Sequence, residues 1–285
     1  MKRKNSAIAR GRYVCRSVLA FGVFLATSLQ MGLYVSDGKI ECWVPDYEKI
    51  EIEAILGRER FTDSDYEILF AQTGLTPPAI DRAKKYGDEG VRRILEIQEH
   101  YFTNHEIKHK LFGPWTCTDY IKGRVRNIFL EKGDIVLTSS THVSSCRIGH
   151  AGLVVDDARE EVLQALTYGS LSSVGSVRDF LNRVNFMILR PKVDPEIRER
   201  VVQYAKEKLV GIPYSGFAGI FTNQTALMKT QCAHLVWRAY HEYGVELGGG
   251  KRAPILPYDI AISENLELVQ TFGFRPDTLW NKLFD

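Results

Sequence analysis

The spacing of apolar residues changes character along this chain. Ser17 to Ser36 is an uncharged, mostly apolar run, and the stretch from Asp37 to about Phe61 has mixed charge, Trp43 and Pro45 but no period. Helical punctuation follows. Thr62-Asp63-Ser64-Asp65 offers N-cap chemistry for a helix through Phe70 and Ala71, ended by Gly74. Pro77-Pro78 opens a second helix that Gly87 stops, and Asp88-Glu89 starts a third with Val91, Ile94, Leu95 and Gln98 on one face, reaching Tyr101 and Phe102. Together they predict a small helical subdomain.

Past Gly123 the pattern becomes that of strands. Ile128-Phe129-Leu130 and Ile135-Val136-Leu137 flank the turn Lys132-Gly133-Asp134. After a polar loop from Ser139 to Arg147 come the apolar runs Ile148 to Val155 and Val162 to Leu166, joined by the polar turn Asp156–Glu161 and read as a hairpin. With that turn centred near Asp157, His150 and Gln164 project on one side. A further strand is predicted at Phe186 to Arg190, and a helix from Pro195 to about Leu209 with Val201, Val202, Ala205 and Leu209 on one face. The last strong helix begins near Cys232: Leu235, Val236, Ala239, Tyr240 and Tyr243 form its buried stripe, and Gly244 ends it. A thiol in a helix's first turn meets unpaired N–H groups and the positive end of the macrodipole, which favour the thiolate.

Composition narrows the class. The apolar and charged fractions, 45% and 25%, are those of a globular chain, and a formal charge of +2 provides no basic excess for nucleic acid. The dense basic cluster is N-terminal: Lys2, Arg3, Lys4, Arg10, Arg12 and Arg16 precede the run from Ser17 to Ser36. That order predicts a secretory signal peptide, with Ala26 and Ser28 as small residues before a cleavage site, or an uncleaved signal-anchor of about 20 residues with its basic end in the cytoplasm. Both place the remaining chain outside the cytoplasm, and the anchor adds the membrane as a partner.

Of the 5 cysteines, Cys42 and Cys117 are candidates to pair in that setting, leaving Cys146 and Cys232 as thiols, Cys146 as a packing residue. His105-Glu106-Ile107-Lys108-His109 matches H-E-x-x-H, which on a helix aligns two zinc ligands and a general base. Lys108 within the motif and Gly113-Pro114 after it argue instead for a solvated, charged helix end. No metal is assigned from this reading, and no cofactor is expected.

A nucleophilic cysteine needs a base, and the base needs an orienting partner. Cys232, His150 and Gln164 supply those residue types in suitable contexts. The runs Gly133-Asp134-Ile135-Val136, Gly149-His150-Ala151-Gly152-Leu153-Val154, Gly211-Ile212-Pro213-Tyr214 and Gln231-Cys232-Ala233-His234-Leu235-Val236 resemble the motifs of NlpC-type papain-like cysteine hydrolases. Here the histidine block comes first, as in the circularly permuted branch, similar to YiiX-like hydrolases and more remotely to lecithin:retinol acyltransferase-like enzymes. The resemblance covers roughly Glu131 to Gly244. It implies an α+β fold with an antiparallel sheet and a packed nucleophile helix. It also implies Cys232 as nucleophile, His150 as base, Gln164 as orienting group, and Tyr214 and Gln231 at the oxyanion or substrate. Gln231 and Ala233 stand where the unpermuted pattern has Asp and Ser, and Gln164 where permuted relatives often carry Glu or His.

The expected organisation is an N-terminal signal or anchor over 1–36, a linker over 37–60, the helical subdomain over 61–112, a connection over 113–127 and the permuted papain-like catalytic domain over 128–285. The expected function is extracytoplasmic cysteine hydrolysis of an amide through a thioester, with cell-wall peptide as the substrate class suggested by family and export signal. Open alternatives are a lipid-directed acyl hydrolase or acyltransferase, a non-catalytic binding module, and a zinc peptidase at His105 and His109.

Overall fold

The computed structural model describes residues 17–28, 42–111, 116–126, 130–142, 147–220, 225, 227–250 and 254–275. A helix α1 occupies residues 17–28, with Val18, Leu19, Phe21, Val23, Phe24 and Leu25 all exposed. Among the described residues no helix is long and apolar enough to cross a membrane. The remainder of the run expected as a signal or anchor lies outside the described residues, as do the predicted run Ile128-Phe129 and Cys146.

Next come the short α2 (Glu53–Leu56) and three helices close to prediction: α3 (Asp63–Thr73), α4 (Pro77–Lys84) and α5 (Gly87–Tyr101). Thr62 caps α3 in a reciprocal box with Asp65, which satisfies two end N–H groups at once. Gly74 closes α3 in the left-handed region at φ 70°, and a Cβ there would lie 2.2 Å from Thr271 O, so glycine is required by both dihedral and space.

The helical reading of 61–112 fails at its end. Residues 105–109 do not continue α5: the chain turns after Tyr101 into strand β1 (Ile107–Leu111), which pairs with β2 (Cys117–Ile121), inside the expected connection. The run Lys108-His109-Lys110, exposed between Ile107 and Leu111, suits a solvated sheet edge. His105 precedes the strand and His109 lies on it, so the two do not share the helix face on which H-E-x-x-H gathers two ligands. His105 bonds His100 O at 3.1 Å, while His109 Nδ1 meets Asp119 Oδ1 at 2.8 Å.

The rest of the chain builds an α+β core. Its elements are β3 (Ile135–Thr138), β4 (Thr141–His142), β5 (His150–Asp156), β6 (Glu161–Gln164), β7 (Ser173–Ser176), α6 (Arg178–Leu181), β8 (Phe186–Pro191), α7 (Pro195–Lys208), α8 (Cys232–His241), α9 (Pro257–Ala261) and β9 (Leu266–Phe272). A six-stranded sheet runs β7-β6-β5-β3-β8-β9, and β1-β2-β4 form a smaller three-stranded sheet. All the strand pairings are antiparallel.

Strand alternation divides the core into two layers. Ile135, Leu137, Ala151, Leu153, Leu163, Met187 and Leu189 share a cluster with Val201 and Ala205 of α7 and Leu235, Val236 and Ala239 of α8. Val136, Val154, Val162, Phe186 and Ile188 face the other way, into a cluster with Leu69, Ile80, Ile94 and Ile97 of α3, α4 and α5. The helices expected as a separate subdomain therefore cover one face of the large sheet. Ile52, Ile55 and Leu56, in the expected linker, are buried in the same layer. At the root of β3, buried Asp134 takes a two-pronged contact from Arg190, Nε to Oδ1 at 2.9 Å and Nη2 to Oδ2 at 2.8 Å, which makes this aspartate a strut between β3 and β8.

Candidate active site

Cys232 is the first residue of α8, and that helix starts where it does because Gln231 adopts an extended conformation and caps it with its side chain. Gln231 Oε1 accepts from Ala233 N at 2.9 Å and from Cys232 Sγ at 3.3 Å, while its Nε2 donates to Ile255 O. The carboxamide expected at the oxyanion is thus committed at both ends to holding the helix start. Backbone N–H groups of Ala151, Ala233 and Cys232 itself point at the sulfur. The thiol consequently meets strand β5 at the peptide immediately after His150.

His150 opens β5 and Gln164 closes β6. Leu153 pairs with Leu163 and Val154 with Val162, so His150 and Gln164 lie diagonally across the hairpin on one face, as their alternation predicts. His150 Nε2 and Gln164 Oε1 are 2.8 Å apart, and the imidazole stacks on Phe180 at 5.2 Å between centroids. With the glutamine oxygen accepting, Nε2 carries the proton and Nδ1 keeps the lone pair. Gly175 on β7 makes room for this arrangement, because a Cβ there would fall 2.6 Å from Gln164 Nε2.

The electrostatics overturn one expectation. Burial pushes the Cys232 thiol up to about 11, outweighing the three N–H groups that favour the thiolate. Burial, and then the nearby Arg183 guanidinium, hold His150 down at about 4 against the favourable Gln164 bond. At neutral pH this is a thiol and a neutral imidazole, not an ion pair. Among the described residues no hydrogen bond joins Sγ to the imidazole; both groups instead line one cavity of about 370 Å³. Ile148, Leu166, Tyr168, Leu256 and Pro257 give that cavity apolar walls, and Thr116 and Thr141 add hydroxyls.

Tyr214 also lines the cavity and packs edge-on against Tyr168 at 5.1 Å. Its phenol is raised by burial first and then by proximity to Cys232. The four expected residues Cys232, His150, Tyr214 and Gln231 therefore share the cavity, with Gln164 behind the histidine. Tyr168, Leu256 and Phe180 were not found from sequence, since each lies in a turn, a short helix or behind the sheet with no spacing to mark it.

A second cluster was missed as well. Cys117, Asp119 and His142 are buried, with their donor atoms all within 4.8 Å of one another. No disulfide joins Cys42 and Cys117, so the anticipated pairing between them does not form. No family model matches the chain, and no curated protein or solved structure matches it either.

Proposed function

We propose that this protein is a cysteine hydrolase of the permuted papain-like type, with Cys232 as nucleophile, His150 as base and Gln164 as the positioning residue that sets the tautomer of His150. The observation that carries the reading is the convergence on one cavity of a helix-starting thiol and an imidazole whose Nε2 is held at 2.8 Å by Gln164 Oε1. The arrangement favours general-base rather than ion-pair chemistry. His150 Nδ1 accepts the thiol proton as sulfur attacks an acyl carbonyl, the N–H groups at the start of α8 stabilise the oxyanion, and the imidazolium protonates the leaving group. Water then hydrolyses the thioester, assisted by the same nitrogen. For attack, Sγ must leave its bond to Gln231 Oε1 and the imidazole must turn toward it, a tightening that substrate binding provides.

The substrate proposed is an amide, with extracytoplasmic cell-wall peptide as the class; the apolar cavity walls favour an apolar group next to the scissile carbonyl. The same walls suit the acyl chain of a lipid, the substrate of the alternative acyl hydrolase or acyltransferase. A binding module with an idle thiol is the competing reading, and the uncoupled, neutral pair is the observation in its favour. An electrophilic acyl probe separates them. Labelling of Cys232 that His150→Gln slows by at least about 10-fold supports the hydrolase; labelling indifferent to His150 overturns it. Peptidoglycan fragments and acyl lipids offered as substrates then decide between the two bond classes.

A further inference from the structure

We propose that Cys117, Asp119, His142 and His109 form a binding site for a zinc-like divalent transition metal, separate from the cavity thiol. The register of the small sheet assembles it. Cys117 pairs with His142 across β2 and β4, and His109 pairs with Asp119 across β1 and β2. Because Cys117 and Asp119 are two apart on one strand, all four side chains share one face.

Zinc takes sulfur, nitrogen and oxygen donors in a tetrahedron, and ligand bonds of about 2.1 Å give edges of about 3.4 Å. His142 Nε2 lies 3.4 Å from Asp119 Oδ1, and His109 Nδ1 is 2.8 Å from the same oxygen. The Cys117 sulfur is within 4.8 Å of the other two donors in its group, so these three close around a metal with movements of about an ångström, and His109 reaches them through its contact with Asp119 Oδ1. The other carboxylate oxygen, Oδ2, faces Arg147 Nη1 at 3.4 Å and stays outside the coordination set. Binding forms a metal–sulfur bond and releases the Cys117 thiol proton to solvent. Thiolate, carboxylate and two neutral imidazoles then balance the divalent charge with no redox step. The mixture of sulfur, nitrogen and oxygen donors suits zinc rather than magnesium or calcium.

A rival use of the same residues, a second Cys-His-Asp nucleophile, fails on access, since none of the three lines the substrate cavity while their neighbours Thr116 and Thr141 do. The metal would instead clasp β2 to β4 beside the cavity. Gly149 N donates to Thr141 O at 2.8 Å, so the clasp is one hydrogen bond from the residue preceding His150. His109, drawn from the H-E-x-x-H sequence, would serve here with different partners.

The test uses the full chain, freed of metal with a chelator and titrated with Co²⁺ and Zn²⁺. The expected result is one metal per chain and a thiolate-to-cobalt charge-transfer band. Cys117→Ser removes the band and weakens binding by at least about 100-fold, whereas Cys232→Ala keeps both. The half-exposed His109→Gln guards against loss of folding: it keeps the band but weakens binding by at least about 10-fold. Absence of binding to wild type, retention of the band in Cys117→Ser, or its loss in Cys232→Ala each overturns the site.

Discussion

Among the described residues, Cys232 and Cys117 each stand near a histidine, and the surroundings separate them. At Cys232 the sulfur starts a helix and opens on a cavity, and the imidazole on that cavity is partnered by an uncharged glutamine. At Cys117 the sulfur sits inside a sheet face with a carboxylate, Asp119, between two imidazoles, and no member of that group reaches the cavity. The lesson is that residue type does not assign chemistry. A nucleophile requires access and a base with a free lone pair, whereas a metal requires several donors converging on one point with compensating charge.

The comparison breaks most sharply at the sulfurs. Cys232→Ala is expected to lower turnover by at least about 10⁴-fold while leaving the fold and metal binding intact, measured by hydrolysis, circular dichroism and metal titration. Retained turnover would move the nucleophile elsewhere.

A second difference is electrostatic. His150 is depressed to about 4 in the folded chain from an ordinary value of 6.5, so the unfolded chain takes up its proton first. Its contribution to stability is complete above about pH 6.5 and is lost as pH falls toward about 4, on the order of 3 kcal/mol across that window. Denaturant unfolding at several pH values should show this slope in wild type and a flatter one in His150→Gln. The acid limb of kcat/KM should lie near pH 4, since the base form of His150 persists down to there.

Smaller changes probe the positioning of that base. Gln164→Ala is expected to reduce kcat by about 10- to 100-fold, a fraction of the 10²- to 10⁴-fold that a positioned base supplies. Gln164→Glu should raise the acid limb by about one unit, because a carboxylate stabilises the imidazolium; a purely structural glutamine would not shift the pH profile. Gly175→Ala, by crowding Gln164 Nε2, should cost about 10-fold in kcat with little change in KM. The smallest effect is expected from Cys117→Ser: metal-free, its hydrolysis should stay within about 3-fold of metal-free wild type, and a larger loss would tie the two clusters together more closely than their geometry does.

Much of the site was legible along the chain, because its parts sit on strongly punctuated elements. The stripe of Leu235, Val236, Ala239 and Tyr240 placed Cys232 at a helix start, and strand alternation put His150 and Gln164 on one side of a hairpin. The caps at Thr62 and Gly74 marked α3 in the same way. Residues 105–111 were misread: their charges suit a solvated helix end as well as a strand edge, and only pairing with β2 decides between them.

What the sequence determined by itself is local: where helices begin and end, which strand residues share a face, and which thiol stands in a first turn, all set by dihedrals and spacing along a few residues. The tertiary structure alone decided the quantities that depend on distant neighbours. It laid α3, α4 and α5 on the large sheet and gathered Cys117, Asp119, His142 and His109 from three strands. It also buried Cys232 and His150 deeply enough that desolvation outweighs the helix-end N–H groups, leaving both neutral. Desolvation is the summed effect of everything packed around a group, and no spacing in the sequence encodes that sum.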